Sequence, residues 1–260
     1  MKTHVICLPG GVAPAAQRYA PLIDALGPEV QIHLKDHEVY AGDVPPPNYS
    51  VELELHAIDR FADSLGIDRF HLVGYSGGGF LSLAYAGTRG ERLASLALFE
   101  PAMVPGHLTP RERTRWSEFD STLAGLEGRE FMSAFMRMQL KPAVQLPPAP
   151  AAPWPGMQKR PAGIAAMMRS FAAYEFDRES MRACTFPVYL GYGDQTHEFE
   201  SVKASVLAEH FPDIWVQRYP GVHHFVPAAQ IYTAAHATSL RELWQRAENS
   251  PLRPQLSLQE

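Results

Sequence analysis

The segment Phe70-His-Leu-Val-Gly-Tyr-Ser-Gly-Gly-Gly-Phe80 decides the fold of this chain, because an apolar run passes directly into a glycine-rich turn. Residues 69–75 are typical of a short buried strand, and residues 77–86 carry apolar side chains at helical spacing. Ser76 stands between them, flanked two positions away by glycines, which suit a turn where a Cβ atom would collide with neighbouring backbone. The segment therefore predicts a strand-turn-helix that lifts the Ser76 hydroxyl clear of the sheet, where a base can take its proton.

Two later segments supply partners for Ser76. The run Phe186-Pro-Val-Tyr-Leu-Gly-Tyr-Gly-Asp194 is a strand that ends in an acid, and Tyr219-Pro-Gly-Val-His-His-Phe225 closes a further strand. With these segments the chain resembles the α/β-hydrolase superfamily of serine hydrolases. The resemblance implies that Ser76 is the nucleophile, that His224 is the base, and that Asp194 is the acid that orients His224.

Two other residues are alternatives for these roles. Glu100 ends the apolar strand 93–99, and some members of the superfamily place their carboxylate after this strand; it could also cap the strand end or line the pocket. His223 is the alternative base, but the resemblance favours His224, which directly precedes Phe225. We therefore expect Asp194 and His224 to complete the triad.

Acyl transfer also needs an oxyanion hole, because negative charge develops on the substrate oxygen. The resemblance implies that the backbone N–H of Gly77 is one donor. The second should come from the loop after the first strand, in Val5-Ile-Cys-Leu-Pro-Gly-Gly-Val12, where Pro9-Gly10 replaces the usual His-Gly of the family. Gly11 is then the expected donor, with Val12 as the second choice.

Strand and helix patterns alternate along the chain, which predicts an α/β-hydrolase fold: a mostly parallel sheet of about six strands with helices on both faces. Residues 1–100 and 186–248 are expected to form the core, residues 101–185 a helical cap insertion, and residues 249–260 a flexible tail. Strands are expected near 3–8, 29–34, 69–75, 93–99, 186–192 and 213–219, core helices near 14–26, 51–65, 77–87, 201–210 and 229–247, and insertion helices at 111–123, 129–140 and 162–174. The proline-rich run 141–161 cannot be a helix.

Composition favours one compact enzyme domain. The 260 residues are 46% apolar, and the formal net charge of −5 with no basic cluster argues against a nucleic-acid binder. Neither a signal peptide nor a membrane-spanning run is recognisable, so we expect a cytoplasmic protein. We also expect that it needs no metal or other cofactor. Cys7 and Cys184 are expected to be thiols packed in the core.

Two features bear on the substrate. Eight of the nine methionines lie in the insertion, which favours an apolar substrate moiety as well as ordinary helix packing. The loop after the second strand, Leu34–Ser50, departs from the family pattern; His37 and Glu38 could reach the pocket, although a solvated loop is the expected setting for both.

The sequence thus predicts a serine hydrolase that cleaves a carboxylic ester or thioester of a small-molecule substrate. Three alternatives use the same fold: a carbon–carbon bond hydrolase, a cofactor-free perhydrolase, and a ligand receptor with weak turnover.

Overall fold

A computed structural model describes residues 3–146, 148, 156–225, 230 and 233–249. Its centre is one six-stranded sheet in the order β2-β1-β3-β4-β5-β6, and every pairing is parallel. The strands are β1 (Thr3–Leu8), β2 (Val30–Leu34), β3 (Phe70–Tyr75), β4 (Leu93–Phe99), β5 (Val188–Gly193) and β6 (Ile214–Tyr219). The predicted all-parallel sheet is confirmed, with strand ends within two residues of expectation.

Eight α-helices accompany the sheet within the described residues. They are α1 (Ala15–Leu26), α2 (Val51–Ser64), α3 (Gly77–Arg89), α4 (Pro110–Leu123), α5 (Gly128–Arg137), α6 (Arg160–Ala173), α7 (Phe199–His210) and α8 (Ala234–Asn249). Local capping explains two of the starts: the Ser50 hydroxyl accepts the N–H of Leu53 at α2, and Thr109 with Glu112 forms a capping box at α4.

Successive side chains of each strand point to opposite faces of the sheet, so the fold has a hydrophobic core on each face. Val5 and Cys7 of β1 pack with α1 and α8, whereas Ile6 and Leu8 pack with α2, α3 and α7. All six residues of β3 are buried, since helices cover both faces. Cys184 is buried as well, and neither cysteine forms a disulfide, as predicted.

The segment between β4 and β5 carries α4, α5 and α6, which lie over the carboxyl ends of the strands. Helix α6 is held to the core by Phe171, whose ring stacks on Phe80 of α3 at 3.9 Å between centroids. A buried ion pair, Arg178 to Glu112 at 2.8 Å, joins the end of the segment to α4. We call residues 101–187 the inserted segment; that it forms a separate cap domain remains a prediction.

Some predictions fall on residues outside this description. Most of the proposed tail, 250–260, lies there, and Asn249 ends α8. The expected helix start near residue 229 and much of the proline-rich run, residues 147 and 149–155, also lie there. Among the described residues, none of the helices is long and apolar enough to span a membrane.

Candidate active site

Ser76 lies in a strained turn at the carboxyl end of β3. Its backbone has φ 54° and ψ −117°, which residues with a Cβ atom rarely adopt. A Cβ atom at Gly78 would lie 2.5 Å from the carbonyl oxygens of Leu8 and Pro9, and one at Gly74 would lie 2.6 Å from the carbonyl oxygen of Gly78. Close backbone contact therefore requires both glycines, for the reason that the sequence pattern suggested.

The imidazole of His224 faces the Ser76 hydroxyl. His224 lies in the loop after β6, and its Nε2 is 3.1 Å from Ser76 Oγ. Burial lowers the pKa of His224, and the hydrogen bond and negative charge of Glu100 oppose this change without cancelling it. The ring is therefore neutral near pH 7 and can accept a proton.

The carboxylate that contacts His224 is Glu100. Its Oε2 is 2.6 Å from His224 Nδ1, and its Oε1 accepts the N–H of Gly193 at 2.7 Å and the hydroxyl of Thr196 at 2.6 Å. Burial by itself would raise the pKa of Glu100, but these hydrogen bonds and the adjacent imidazole lower it. Every oxygen of the buried carboxylate thus has a partner that favours its ionised form.

The strand order explains why Glu100 reaches His224. Glu100 directly follows β4, which lies between the strand that carries Ser76 and the strand that ends at Gly193. Its backbone has a positive φ of 46°, so the acid, like the serine, occupies a strained turn at a strand end. The two strained non-glycine residues of the described chain are thus the two that flank His224.

The structure corrects the expected pairing of Asp194 with His224. Asp194 follows β5, but its carboxylate accepts the N–H of Gly221 at 2.9 Å and lies 4.0 Å from the Arg218 guanidinium. Its backbone N–H donates to the carbonyl of Tyr219. Asp194 therefore closes the turn that leads from β6 to His224, while Glu100, the alternative acid, occupies the position beside the ring.

His223 does not take the place of His224. Its Nδ1 accepts the N–H of Phe225 at 3.2 Å, an interaction within its own loop. The side chain is half-buried, and burial lowers its pKa. Of the two adjacent histidines, His224 is the one that meets Ser76.

The expected solvated setting for His37 is wrong, whereas Glu38 is partly exposed. His37 is buried, and its Nε2 donates to the carbonyl of Pro9 at 2.6 Å, so the ring braces the loop after β1. Glu38 pairs with Lys35 at 3.0 Å. The sequence offered no signal for the buried role of His37, because its hydrogen-bond partner lies on a different strand end.

Gly11 and Gly77, the predicted oxyanion donors, lie side by side next to Ser76. A Cβ atom at Gly77 would be 3.9 Å from the backbone nitrogen of Gly11. Because Gly77 is the first residue of α3, its N–H has no acceptor in a preceding helical turn. The hydroxyl of Tyr40 donates to the carbonyl of Gly11 at 2.8 Å and holds it in place, whereas Val12 packs against the inserted segment. This geometry can present two N–H groups to one oxygen.

A cavity of about 100 Å³ opens above Ser76, between the strand ends and the inserted segment. One wall is apolar, and the inserted helices supply most of it: Trp116, Phe119, Phe135, Ile164, Met167, Met168 and Phe171. The polar part of the lining, which we call the polar wall, comes equally from two places: the segment around α7 supplies His197, Glu200 and Lys203, and the inserted segment supplies Glu112, Arg115 and Gln139. The cavity can hold a small substrate with both apolar and polar parts.

The polar wall contains a buried ion pair that the sequence analysis did not single out. Lys203 Nζ is 2.5 Å from Glu200 Oε1 and also donates to the carbonyl of Pro101, directly after Glu100. Burial raises the pKa of Glu200 to about 7, although the Lys203 ammonium opposes this rise. The pair therefore ties α7 to the strand end that carries Glu100.

Comparisons with known proteins agree with this architecture. A family model described as alpha/beta hydrolase fold matches residues 3–228. A curated protein of Caulobacter segnis named "Putative carbamate hydrolase RutD" is 31% identical over 98 residues, which span 36% of this chain and only 37% of that protein.

Two solved structures extend the comparison to more than nine tenths of the chain. MenH from S. aureus is 16% identical with a TM-score of 0.74, and the match covers 96% of each chain. The carboxylesterase CesB from Bacillus subtilis is 17% identical with a TM-score of 0.61, over 91% of this chain and 82% of CesB. At these identities the likeness concerns the fold.

Proposed function

Since the matching family model spans most of the chain, the protein belongs to the α/β-hydrolase fold family, and we propose that it is a serine hydrolase acting on a carboxylic ester or thioester with an apolar moiety. The observation that carries this proposal is the position of one imidazole. His224 lies 3.1 Å from the Ser76 hydroxyl through Nε2 and 2.6 Å from the Glu100 carboxylate through Nδ1. The residues that we propose as nucleophile, base and orienting acid are thus in hydrogen-bond contact.

The proposed reaction follows from this geometry. Ser76 Oγ attacks the substrate carbonyl while His224 Nε2 accepts its proton, and Glu100 stabilises the imidazolium at Nδ1–H. The N–H groups of Gly11 and Gly77 hold the negative charge that forms on the carbonyl oxygen. His224 then protonates the leaving alcohol or thiol, and water that His224 deprotonates releases the acid from the acyl-enzyme.

The inserted segment supports an apolar substrate moiety. Its helices place aromatic and methionine side chains over Ser76, and a Cβ atom at Gly77 would lie only 2.6 Å from Cε of Met167. We propose that the segment acts as a cap, which excludes water from the acyl-enzyme and selects the group that fills the cavity.

A carbamate is a second candidate substrate. The match to a protein named as a carbamate hydrolase favours it, and a carbamate carbonyl reacts by the same acyl transfer to serine. Because the match spans little more than a third of each chain, carbamates enter the proposal as one class to compare with esters and thioesters.

The proposal is tested by labelling and turnover on the purified protein. A fluorophosphonate probe should modify Ser76, identified by peptide mass, and aryl esters, thioesters and carbamates of graded acyl length should show repeated turnover. The Ser76→Ala variant should lose both, whereas Ser121→Ala, at an exposed serine of α4, should retain both.

The outcomes separate the hydrolase from a ligand receptor. Fast repeated turnover of an ester or thioester supports the hydrolase, and the acyl length with the highest kcat/KM identifies the apolar moiety. Slow labelling without turnover, together with a ligand-induced rise in Tm, favours a receptor instead. Folded protein that is not labelled at Ser76 contradicts the triad.

A further inference from the structure

A buried arginine lies one layer behind the proposed triad. Arg18 of α1 is only 8% exposed, and its Cζ lies 3.5 Å above the ring centroid of Tyr75. The other buried residues of α1 are Ala15, Tyr19, Leu22 and Leu26. Removing a guanidinium from water is costly, and the contact with the face of Tyr75 offsets part of that cost.

Tyr75 connects this arginine to His224 by two contacts. Its ring stacks on the His224 imidazole, with centroids 5.0 Å apart and planes at 25°, and its hydroxyl donates to the carbonyl oxygen of His224. The same ring lies against the loop after β1, since a Cβ atom at Gly10 would be 2.9 Å from it. Tyr75 therefore contacts α1, the loop that carries Gly11, and the loop that carries His224.

These contacts restrain a motion that the triad hydrogen bonds leave open. Glu100 and Ser76 hold the two nitrogens at the edge of the His224 ring, but neither bond resists displacement perpendicular to the ring plane. Tyr75 covers a face of the ring, and Phe225 meets it edge-on, with the planes at 84°. The ring is thus held at its edges and on its face.

We propose that Arg18 and Tyr75 are positioning residues for His224, with Tyr75 fixing the ring and its backbone while the Arg18 cation fixes Tyr75 and opposes a positive charge on the ring. This inference rests on the proposed hydrolase function.

The charges around His224 define the electrostatic part of the proposal. Glu100 at the end of β4 favours protonation of the ring, whereas Lys203 of α7 and Arg18 of α1 oppose it. His236 of α8, also affected by Arg18, has its pKa lowered to about 4, chiefly by burial, so it adds no charge at neutral pH. Removing the Arg18 charge should therefore raise the pKa of His224.

The size of this shift follows from Coulomb's law. The Arg18 Cζ lies 3.5 Å from the Tyr75 centroid, which lies 5.0 Å from the His224 centroid, so the charge is no more than about 8.5 Å from the imidazole. At that distance a unit charge at an effective dielectric constant of about 20 changes a pKa by the order of one unit. Rates at a pH on the acid limb of the profile should then change about ten-fold.

The experiment measures kcat/KM against pH, with active sites counted by the fluorophosphonate probe. Arg18→Met should move the acid limb up by about one pH unit, and Arg18→Lys, which keeps the charge, should restore the wild-type limb. Arg246→Met is the matched control, because it removes a half-exposed arginine charge at the end of α8. If the acid limb of the kcat/KM profile lies at the same pH for Arg18→Met as for Arg246→Met, the electrostatic role of Arg18 is overturned.

Tyr75→Phe tests the positioning part, and its result stands even if Arg18→Met fails to fold. It keeps the ring but removes the hydroxyl that holds the His224 backbone. Because His224 is then less well positioned while the substrate contacts are unchanged, kcat per titrated site should fall about ten-fold with little change in KM. A merely structural role would lower the fraction of titrated sites and leave kcat per site unchanged, which would overturn the proposal.

A readout without turnover separates this proposal from the proposed function. The titration of the His224 ring can be followed by NMR, with the resonance assigned by comparison with His224→Gln. An upward shift in Arg18→Met supports the electrostatic role even if no ester is hydrolysed, and an unchanged titration refutes it even if the enzyme is active.

Discussion

Replacing Glu100 with glutamine should abolish most activity while the fold is retained. The Glu100 Oε1 accepts two hydrogen bonds, from the Gly193 N–H and the Thr196 hydroxyl, so a glutamine carbonyl will take that position. The amide NH₂ must then face His224 Nδ1, which forces this nitrogen to act as an acceptor. The proton of a neutral ring moves to Nε2, where it faces Ser76 Oγ and prevents the base from taking the serine proton.

The magnitude follows from this change of tautomer. Placing the proton on the wrong ring nitrogen of a serine-hydrolase triad costs about 10⁴-fold in kcat, which is about 5 kcal/mol of transition-state stabilisation. Asp194→Asn is the matched control, because the asparagine carbonyl can still accept the Gly221 N–H. It should leave kcat close to wild type and change the free energy of unfolding by about 1 kcal/mol or less.

The assay is initial-rate hydrolysis of the preferred aryl ester, normalised to sites titrated by a fluorophosphonate, with urea unfolding to show that each variant is folded. Because Glu100→Gln disables the base, its sites must be counted from total folded protein. A dead Asp194→Asn variant together with a near-normal Glu100→Gln variant would refute the reasoning and return the acid role to Asp194.

Three further outcomes are expected. Because burial lowers the pKa of His224 and the base must be neutral, kcat/KM should stay constant down to a pH below about 6.5 and then fall about ten-fold per unit; a limb centred above pH 7 would contradict this. Lys203→Met should lower the free energy of unfolding in urea by about 3–5 kcal/mol at pH 8, since Glu200 is left as an unpaired buried charge. The loss should be smaller at pH 5, where a carboxyl group with a raised pKa is protonated and neutral; an equal loss at both pH values would exclude this cause. Gly78→Ala should prevent folding or markedly lower Tm, because its Cβ would lie 2.5 Å from backbone oxygens that cannot move aside, and a wild-type Tm would refute that constraint.

Much of the fold was predictable because its signals are local. Apolar or alternating runs, most of them followed by turn residues such as glycine and proline, mark the strands. Helical spacing places α4 and α6 within two residues of their observed ends. Helix α5 ends at Arg137, three residues before the predicted end, since its apolar pattern continues into the next turn. The parallel sheet then follows from the alternation of strands and helices.

The candidate site was predictable only in part. The Gly-Xaa-Ser-Xaa-Gly turn and the two adjacent histidines identify Ser76 and His224, which the structure brings together, and Gly11 and Gly77 lie side by side as expected. Their catalytic roles remain proposals. Asp194 and Glu100 both end an apolar strand, so local pattern does not distinguish which carboxylate faces the imidazole.

By itself the sequence determined the order of strands and helices, the serine turn and the pair of loops that approach it, because each depends on neighbouring residues. Tertiary structure alone decided which carboxylate contacts His224, the buried setting of His37, and the contact of Arg18 with Tyr75. Each of these depends on where separate strand ends and helices meet, and on a backbone turn such as the positive φ of Glu100 that no local pattern reveals. Partners that are distant along the chain become neighbours only when the sheet and its helices pack, so their chemistry is read from the assembled fold.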